Sequence, residues 1–243
     1  MMKYFVIILL LLFPFFRCES QVQPNNQKND LSLSFSVNYI TSASIQLNPF
    51  SSDIIERNTT EDINGGYSFG LSIKKKIYGD NFYISLSSEY INIKDENNFE
   101  TLSFDTSSIN FGVREELRVI PLELLVIYKL PRFLKNLDIY MGGGAGIYFG
   151  DRIRTLYRMQ SETLEKNINL NLNVLMGTEY YLSPKISAYF EVKFRDGRYE
   201  VKSRYPNNYI DFESIRYSFN PILHSRIYVD GLRLSGGINY YIR

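Results

Sequence analysis

His224 is the only histidine of this chain, and it limits the chemistry that the sequence could support. A metal centre built from several histidines is excluded, and any histidine-dependent nucleophile would have to use this one residue. Ser225 follows it directly, but neighbouring residues of a strand point to opposite faces, so the two are poorly placed to share a proton. The sequence therefore predicts no catalytic residue and no metal site, with His224 at a loop edge near the last strand.

The glycine-rich run Gly142–Gly146 is a second candidate, because glycines can cradle a phosphate. The dinucleotide-binding fingerprint needs a following helix, and a match that began at Gly144 would have Phe149 in place of its third glycine. We interpret the run as small residues that let a tilted strand bend or let a bulky neighbour pack over it. No cofactor is expected.

Charged residues that alternate with apolar ones are a third candidate set. If their apolar neighbours face lipid, these charges face the inside of a barrel, where an eight-stranded wall leaves room only for side chains. Both signs are present, so the charges could pair and plug the interior, or line an ion pathway that opens when the pairs rearrange. Unpaired buried charges are costly, which favours the plug. The predicted interior set is Lys74, Glu89, Glu123, Glu179, Glu191, Lys193, Arg195 and Arg233.

The overall composition favours one β-rich domain. The chain has 243 residues, a formal net charge of +1, 20 Tyr and 17 Phe. Tyr and Phe are enriched in strands, and the balanced charge gives no indication of a nucleic-acid partner.

The amino terminus is typical of a secretion signal. Lys3 supplies the positive charge, and Val6–Phe16 is an apolar run too short for a membrane-spanning helix, which needs about 20 residues. We predict a signal peptide at 1–20, a short flexible lead-in at 21–30 and a barrel domain at 31–243. Acylation of Cys18 is an alternative, although Phe15, Phe16 and Arg17 before it do not fit that motif.

Apolar and polar residues then alternate with a period of two, which indicates strands. In the fourth strand Leu117 and Val119 have one parity and Leu122 and Leu124 the other, so we predict a β-bulge at Pro121, between them. The predicted strands are Leu31–Tyr39, Tyr67–Lys74, Phe82–Tyr90, Asn110–Tyr128, Leu137–Ile147, Asn167–Met176, Ile186–Arg195 and Leu232–Ile242.

The connections between these strands alternate in length. Short links are predicted at Gly79–Asp80, Pro131–Asn136 and Ser183–Lys185, and long polar loops at 42–65, 95–108, 151–166 and about 202–217. Short turns at one end and long loops at the other are typical of outer-membrane barrels. A soluble lipocalin-like barrel would show the same alternation. The signal peptide, strands of about 10 residues and aromatic residues near both strand ends favour the membrane.

Four stretches carry a resemblance to a known family: Ile120–Leu124, Met141–Gly146, Ser183–Lys185 and Leu234–Tyr241. Over Leu31–Arg243 the sequence resembles the small outer-membrane β-barrel proteins related to the OmpA barrel and to OmpW. That family usually ends on an aromatic residue, whereas this chain ends in Ile242 and Arg243. The resemblance implies an all-β, eight-stranded antiparallel up-and-down transmembrane barrel in the bacterial outer membrane. It also implies contact with outer-membrane lipid and lipopolysaccharide, insertion by the barrel assembly machinery, and a monomer.

Three functions remain open at this point. The leading hypothesis is a non-enzymatic barrel with a plugged lumen and a structural, adhesive or other envelope-interaction role, carried by its loops. A narrow channel for small solutes, of the OmpW kind, is the first alternative. A lipid A-modifying enzyme is the second, although the chain lacks the pattern of that family. In the third long loop, Arg152, Arg154 and Arg158 are expected at a solvated rim, where they could bridge lipopolysaccharide phosphates.

Overall fold

A computed structural model of the chain describes residues 31–104, 107–132 and 134–242. The predicted signal peptide at 1–20 with its Cys18, the lead-in at 21–30 and the terminal Arg243 lie outside the described residues. No helix of the described part is long and apolar enough to cross a bilayer. The elements are β1 (Leu31–Leu47), α1 (Ile54–Asn58), β2 (Thr60–Tyr78), β3 (Phe82–Phe104), β4 (Ser107–Lys129), β5 (Leu137–Leu156), β6 (Met159–Gln160), β7 (Glu162–Asn167), β8 (Leu170–Tyr181), β9 (Ile186–Arg195), β10 (Arg198–Arg204), β11 (Tyr209–Phe212), β12 (Ile215–Ser218), β13 (Ile222–Tyr228) and β14 (Gly231–Ile242).

A closed antiparallel ring forms the body of the molecule. Strands β1, β2, β3, β4, β5, β8, β9 and β14 hydrogen-bond in that order, and β14 pairs back with β1. The closing register runs from Leu31 opposite Ile242 to Ile40 opposite Arg233. Closure leaves no unpaired edge in the ring, which a lipid environment requires. The predicted eight-stranded up-and-down barrel is confirmed.

Apolar side chains cover the outside of this ring. Leu71 is 67% exposed and Leu170 is 71% exposed, whereas the Asn171 side chain next to Leu170 is buried inside. Aromatic pairs mark both borders of the apolar band, with ring centroids of Tyr39 and Tyr67 5.3 Å apart at one and those of Phe82 and Tyr128 4.9 Å apart at the other. Such a band flanked by aromatic residues matches a bilayer and not water, so the predicted orientation is confirmed.

The two ends of the barrel differ. At the end we call proximal, the predicted short links are confirmed: the strands stop at Tyr78, Lys129 and Tyr181 and resume within a few residues. At the other, distal end the predicted long loops are wrong in extent, because much of each is strand. We call this strand region the distal extension; in it β13 pairs with β1 and β10, and β10 pairs with β7.

The predicted bulge at Pro121 is wrong. The register between β4 and β5 is unbroken through it, with Pro121 opposite Tyr148. Leu117 and Val119 are buried, whereas Leu122 is exposed, so a straight strand simply alternates throughout. The apparent change of phase arises because the strand passes from lipid, where apolar side chains point outward, into the distal extension, where they point inward.

The glycines of β5 allow close approach to β4. A Cβ atom added at Gly142 would lie 2.5 Å from the carbonyl oxygen of Val126. Elsewhere a ring takes the space of a missing side chain: a Cβ at Gly177 would meet the Tyr140 ring at 2.5 Å. Small residues therefore let the strand wall pack tightly around bulky interior side chains.

Candidate functional site

All eight charges predicted for the interior do face it, and all are buried. The ring brings six of them into one set, which we call the central cluster, and places the other two nearer the proximal end. The central cluster consists of Glu89, Glu123, Glu191, Lys193, Arg195 and Arg233.

Glu89 is the hub of the central cluster. Its carboxylate forms ion pairs with Arg195 and, at 3.5 Å, with Arg233. Asn38 and Ser68 donate hydrogen bonds to its Oε2 at 3.0 Å and 2.8 Å. A carboxylate that accepts this many donors is compensated without water. This arrangement therefore closes the lumen at the level of Glu89 by direct side-chain contact.

The remaining carboxylates of the cluster are paired in the same way. Arg233 Nη2 lies 2.7 Å from Glu191 Oε1, and Lys193 Nζ lies 2.6 Å from Glu123 Oε2. Tyr148 also donates a hydrogen bond to Glu123 at 3.0 Å. Each acidic group thus has a cationic partner, so the central cluster is a compensated network that crosses the barrel.

Glu179 organises a second group, the proximal cluster, near the short turns. Lys129 Nζ lies 2.8 Å from its Oε2, and Asn239 donates to its Oε1 at 2.6 Å. Tyr241 and Ser187 also donate hydrogen bonds to it. The predicted interior set does not include Lys129, although this residue has the same parity as Glu123. The reason is that the predicted fourth strand ends at Tyr128, one residue before it.

Lys74 differs from the other interior charges. Among the described residues it has no ion-pair partner, and its ammonium lies 5.3 Å from the centre of the Tyr140 ring and 5.9 Å from that of Tyr189. It lines a cavity of about 30 Å³ together with serine hydroxyls such as Ser72 and Ser85. A space of this size holds about one water molecule. The lumen therefore contains a small polar pocket beside Lys74.

An apolar layer lies above the central cluster. Its side chains come from seven strands and from the residue that follows β13, and they pack against one another. Apart from the hydroxyls of Tyr148 and Tyr199, water and ions in this layer would contact only hydrocarbon, so it forms a barrier to their passage. The layer consists of Ile40, Ala43, Ile45, Ile63, Ile91, Ile93, Leu117, Val119, Tyr148, Tyr199, Val201, Ile227 and Val229.

A further charged group, the distal cluster, lies inside the distal extension. Arg152 donates to both oxygens of Glu115 at 3.0 Å and 2.6 Å, and Arg154 donates to Glu115 Oε1 at 2.8 Å. Arg154 also pairs with Glu61 at 3.1 Å and Glu100 at 3.0 Å. Burial disfavours its charged form, but these three carboxylates outweigh that effect and hold the pKa of the Arg154 guanidinium above its ordinary value.

The distal cluster corrects one expectation from the sequence. Arg152 and Arg154 were expected at a solvated rim in contact with phosphates, but both are buried. Only Arg158 is exposed, with its guanidinium 5.2 Å from the centre of the Tyr157 ring. Continued alternation along β5 from Tyr148 would have placed Arg152 and Arg154 inside.

The distal mouth is covered by an apolar lid. The β11–β12 hairpin contributes Ile210 and Tyr217, which pack on Leu102, Phe111 and Leu156 from β3, β4 and β5. The rings of Phe111 and Tyr217 have centroids 6.1 Å apart. The lid is therefore a second apolar layer, above the distal cluster.

His224 lies within β13 and not at a loop edge as predicted, and it and Ser225 point to opposite faces of that strand, as the alternation predicts. Ser225 is buried and accepts a hydrogen bond from Arg152. The His224 ring lies edge-on to Phe50, with ring centroids 6.0 Å apart. Within the described residues, no group of three or more His, Cys, Asp or Glu side chains could hold a metal ion.

The comparisons with known proteins concern the fold. No protein-family model and no curated protein matches this sequence. Among solved structures, the outer-membrane protein OprG of Pseudomonas aeruginosa superposes with a TM-score of 0.58 at 12% identity, covering 88% of this chain and 96% of that chain. Neisserial surface protein A gives a TM-score of 0.45 at 12% identity, with 87% and 97% covered. The attachment invasion locus protein Ail of Yersinia pestis gives 0.38 at 10%, with 87% and 99% covered.

The likeness to OprG shows the fold, which is that of an integral outer-membrane β-barrel. It agrees with the closed ring, the apolar band and the short turns at one end. The fold expected from the resemblance to the OmpA and OmpW barrels is therefore confirmed.

Proposed function

We propose that this outer-membrane barrel does not conduct solutes, has no enzymatic activity, and acts as a structural or adhesive protein through its distal extension. The observation that carries the proposal is the filling of the lumen. Along β4 alone, the inward side chains pass from the proximal cluster at Lys129 through Glu123, Val119 and Glu115 to the lid at Phe111. An ion would have to separate compensated charges and also cross two apolar layers.

Planar-bilayer recording tests the closed lumen. Purified protein is expected to give no unitary current under conditions in which a reference porin, inserted in the same bilayers, does. A narrow solute channel is the competing function, and the pocket beside Lys74 is the feature that favours it. Stable unitary currents that disappear in Glu191→Gln or Arg195→Gln would establish the channel and reject the plug.

The adhesive role is supported by an ordered apolar tip between β1 and β2, formed by Phe50, Ile54 and Ile55, which are 64%, 63% and 81% exposed. The tip is held in place: Asp53 caps the Ile55 N–H at 2.7 Å, and Gln46 donates to the Arg57 carbonyl at 2.7 Å. Exposed apolar side chains on a fixed loop are typical of contact surfaces.

Cell binding tests the tip. Bacteria that display Ile54→Asp/Ile55→Asp are expected to lose binding to cells that the parent protein binds, because a charged side chain at each position opposes burial in an apolar contact. The matched control is Leu164→Asp, which changes an exposed apolar residue elsewhere on the extension. Equal loss in both variants, or in neither, would reject the tip as the contact surface.

Lipid A mass spectra test the non-enzymatic part of the proposal. Spectra from cells with and without the protein are expected to be the same. A mass difference that corresponds to the gain or loss of an acyl chain would overturn it.

A further inference from the structure

The short turns at the proximal end carry an excess of exposed cationic side chains. Lys75, Arg132, Lys135 and Lys185 are exposed and come from all three turns or the strands that flank them. Asp80 is the exposed carboxylate in the described part of these turns, and its Oδ1 lies 2.6 Å from Lys76 Nζ. We call the four exposed cations the basic rim.

Lys75 shows where the basic rim lies relative to lipid. It is on the outward face of β2, between Ile73 and Ile77, which are 48% and 52% exposed on the same face. Because Ile77 lies closer to the turn than Lys75 does, the Cα atom of Lys75 is within the apolar band. A lysine in this position extends its ammonium to the nearest head groups while its methylenes remain against hydrocarbon.

Exposed apolar side chains accompany the cations at the turns themselves. Tyr78 is 77% exposed, Leu134 is 60% exposed and Leu182 is 49% exposed. These side chains are suited to the interface of a bilayer, so the cations beside them are at the level of lipid phosphates. This position favours a lipid over a soluble or cell-wall partner.

The distal border of the apolar band has a different charge pattern. Just above it, outward-facing Lys94 and Arg118 pair with Glu116 at 3.7 Å and 2.8 Å, and Lys166 pairs with Asp151 at 2.6 Å. These three cations are compensated by carboxylates of the protein. In the basic rim Arg132 also pairs with a carboxylate, that of Asp138 at 2.7 Å, whereas Lys75, Lys135 and Lys185 make no ion pair among the described residues. The proximal border thus has three exposed lysines without a protein counter-charge in the described residues.

We propose that the basic rim binds the phosphate head groups of anionic phospholipids in the leaflet that faces the short turns. In an outer membrane the short turns are periplasmic, so this is the inner leaflet. Lysines close to an anionic surface add to binding cumulatively, and the attraction is screened by salt. Cations distributed over all three turns would gather such lipids around the barrel.

Native mass spectrometry tests the proposal with the folded protein in detergent. Phosphatidylglycerol and phosphatidylcholine of the same chain length are titrated separately, and the bound lipids are counted. We expect phosphatidylglycerol to bind about tenfold more tightly or better, and expect Lys75→Gln/Lys135→Gln/Lys185→Gln to remove that preference. Rising ammonium acetate is expected to weaken it in the parent protein.

The matched control is Lys94→Gln/Lys166→Gln/Lys202→Gln, which makes the same change in net charge on the distal extension and should retain the preference. Equal affinity for the two lipids, or equal loss in the two triple variants, would overturn the proposal. Binding of soluble peptidoglycan fragments that competes with phosphatidylglycerol would instead assign the rim to the cell wall. None of these outcomes depends on whether the lumen conducts, so the two proposals fail separately.

Discussion

Replacing Glu115 by glutamine would remove the carboxylate that compensates Arg152 in the distal cluster. Arg152 makes two charge-assisted hydrogen bonds to Glu115, and its other contact in the described residues is with the Ser225 hydroxyl. Arg154 keeps Glu61 and Glu100. The variant therefore leaves one buried cation without a counter-charge.

The size of the effect follows from the burial of the pair. The side chains of Glu115 and Arg152 are 0% and 1% exposed. Breaking a buried ion pair by removing one partner costs about 3–5 kcal/mol. The exposed pair of Glu96 and Arg114, with side chains 63% and 60% exposed on the same extension, provides the control. For Glu96→Gln we expect a loss of about 0–1 kcal/mol.

Hydrogen exchange is the assay that resolves the extension from the ring. In Glu115→Gln the amides of β10 and β13 should lose protection by roughly a hundredfold or more, as a loss of about 3 kcal/mol requires. The membrane-embedded part of β1 should change little. Because the chain has no Trp, far-UV circular dichroism in urea replaces tryptophan fluorescence for the global transition.

A double variant tests whether the loss of protection comes from the uncompensated charge of Arg152 or from the altered side-chain packing. Arg152→Met/Glu115→Leu removes both partners and replaces them with apolar side chains of similar size, which is expected to restore protection to within about 1 kcal/mol of the parent. If the double variant remains as unprotected as Glu115→Gln, or if Glu96→Gln has an equally large effect, an uncompensated buried charge is not what destabilises the extension.

Three further predictions concern the interior. Gly237→Ala places a Cβ 2.6 Å from the Tyr189 ring and should cost about 1–3 kcal/mol in urea unfolding, whereas Gly236→Ala, where a Cβ meets nothing, should cost less than half as much. Lys74→Met removes a buried cation without an ion-pair partner in the described residues and should leave the free energy of unfolding unchanged or higher. Lys193→Met removes the ion-pair partner of the buried Glu123 and should lower the free energy of unfolding by about 3 kcal/mol. Burial raises the pKa of the Tyr205 phenol above its ordinary 10.0, so its stabilising effect is complete below about pH 10 and is lost as the pH rises further. Tyr205→Phe should flatten that alkaline fall in unfolding free energy, and an unchanged fall would contradict the assignment.

Alternation was sufficient to predict the ring and its orientation. A period of two places Phe35 and Leu71 on one face and Asn38 and Glu89 on the other, and only a barrel satisfies such strands at every edge. The same parity identified all six charges of the central cluster and Glu179 of the proximal cluster, but not Lys129. Parity could not predict which of these charges form ion pairs with each other. Glu89 and Arg195, for example, are far apart in sequence and on strands that are not neighbours in the ring.

The wrong bulge at Pro121 and the wrong extent of the long loops have one physical origin. Within the bilayer the outside of the barrel is apolar, but above it the outside is water, so the apolar face of each strand changes sides while the strand itself continues. Without knowledge of the membrane border, that change in β4 resembles a bulge at Pro121, and the strand ends around Arg152 and Arg154 resemble polar loops.

The sequence by itself determined the number of strands in the ring, their order, the short turns and most of the side chains that face inward within the bilayer, because each depends on local periodicity and turn chemistry. Tertiary structure alone decided the pairing of interior charges, the strands of the distal extension and the apolar lid. These features depend on which solvent surrounds each level of the barrel and on contacts between strands distant in sequence, and neither is encoded in a window of neighbouring residues.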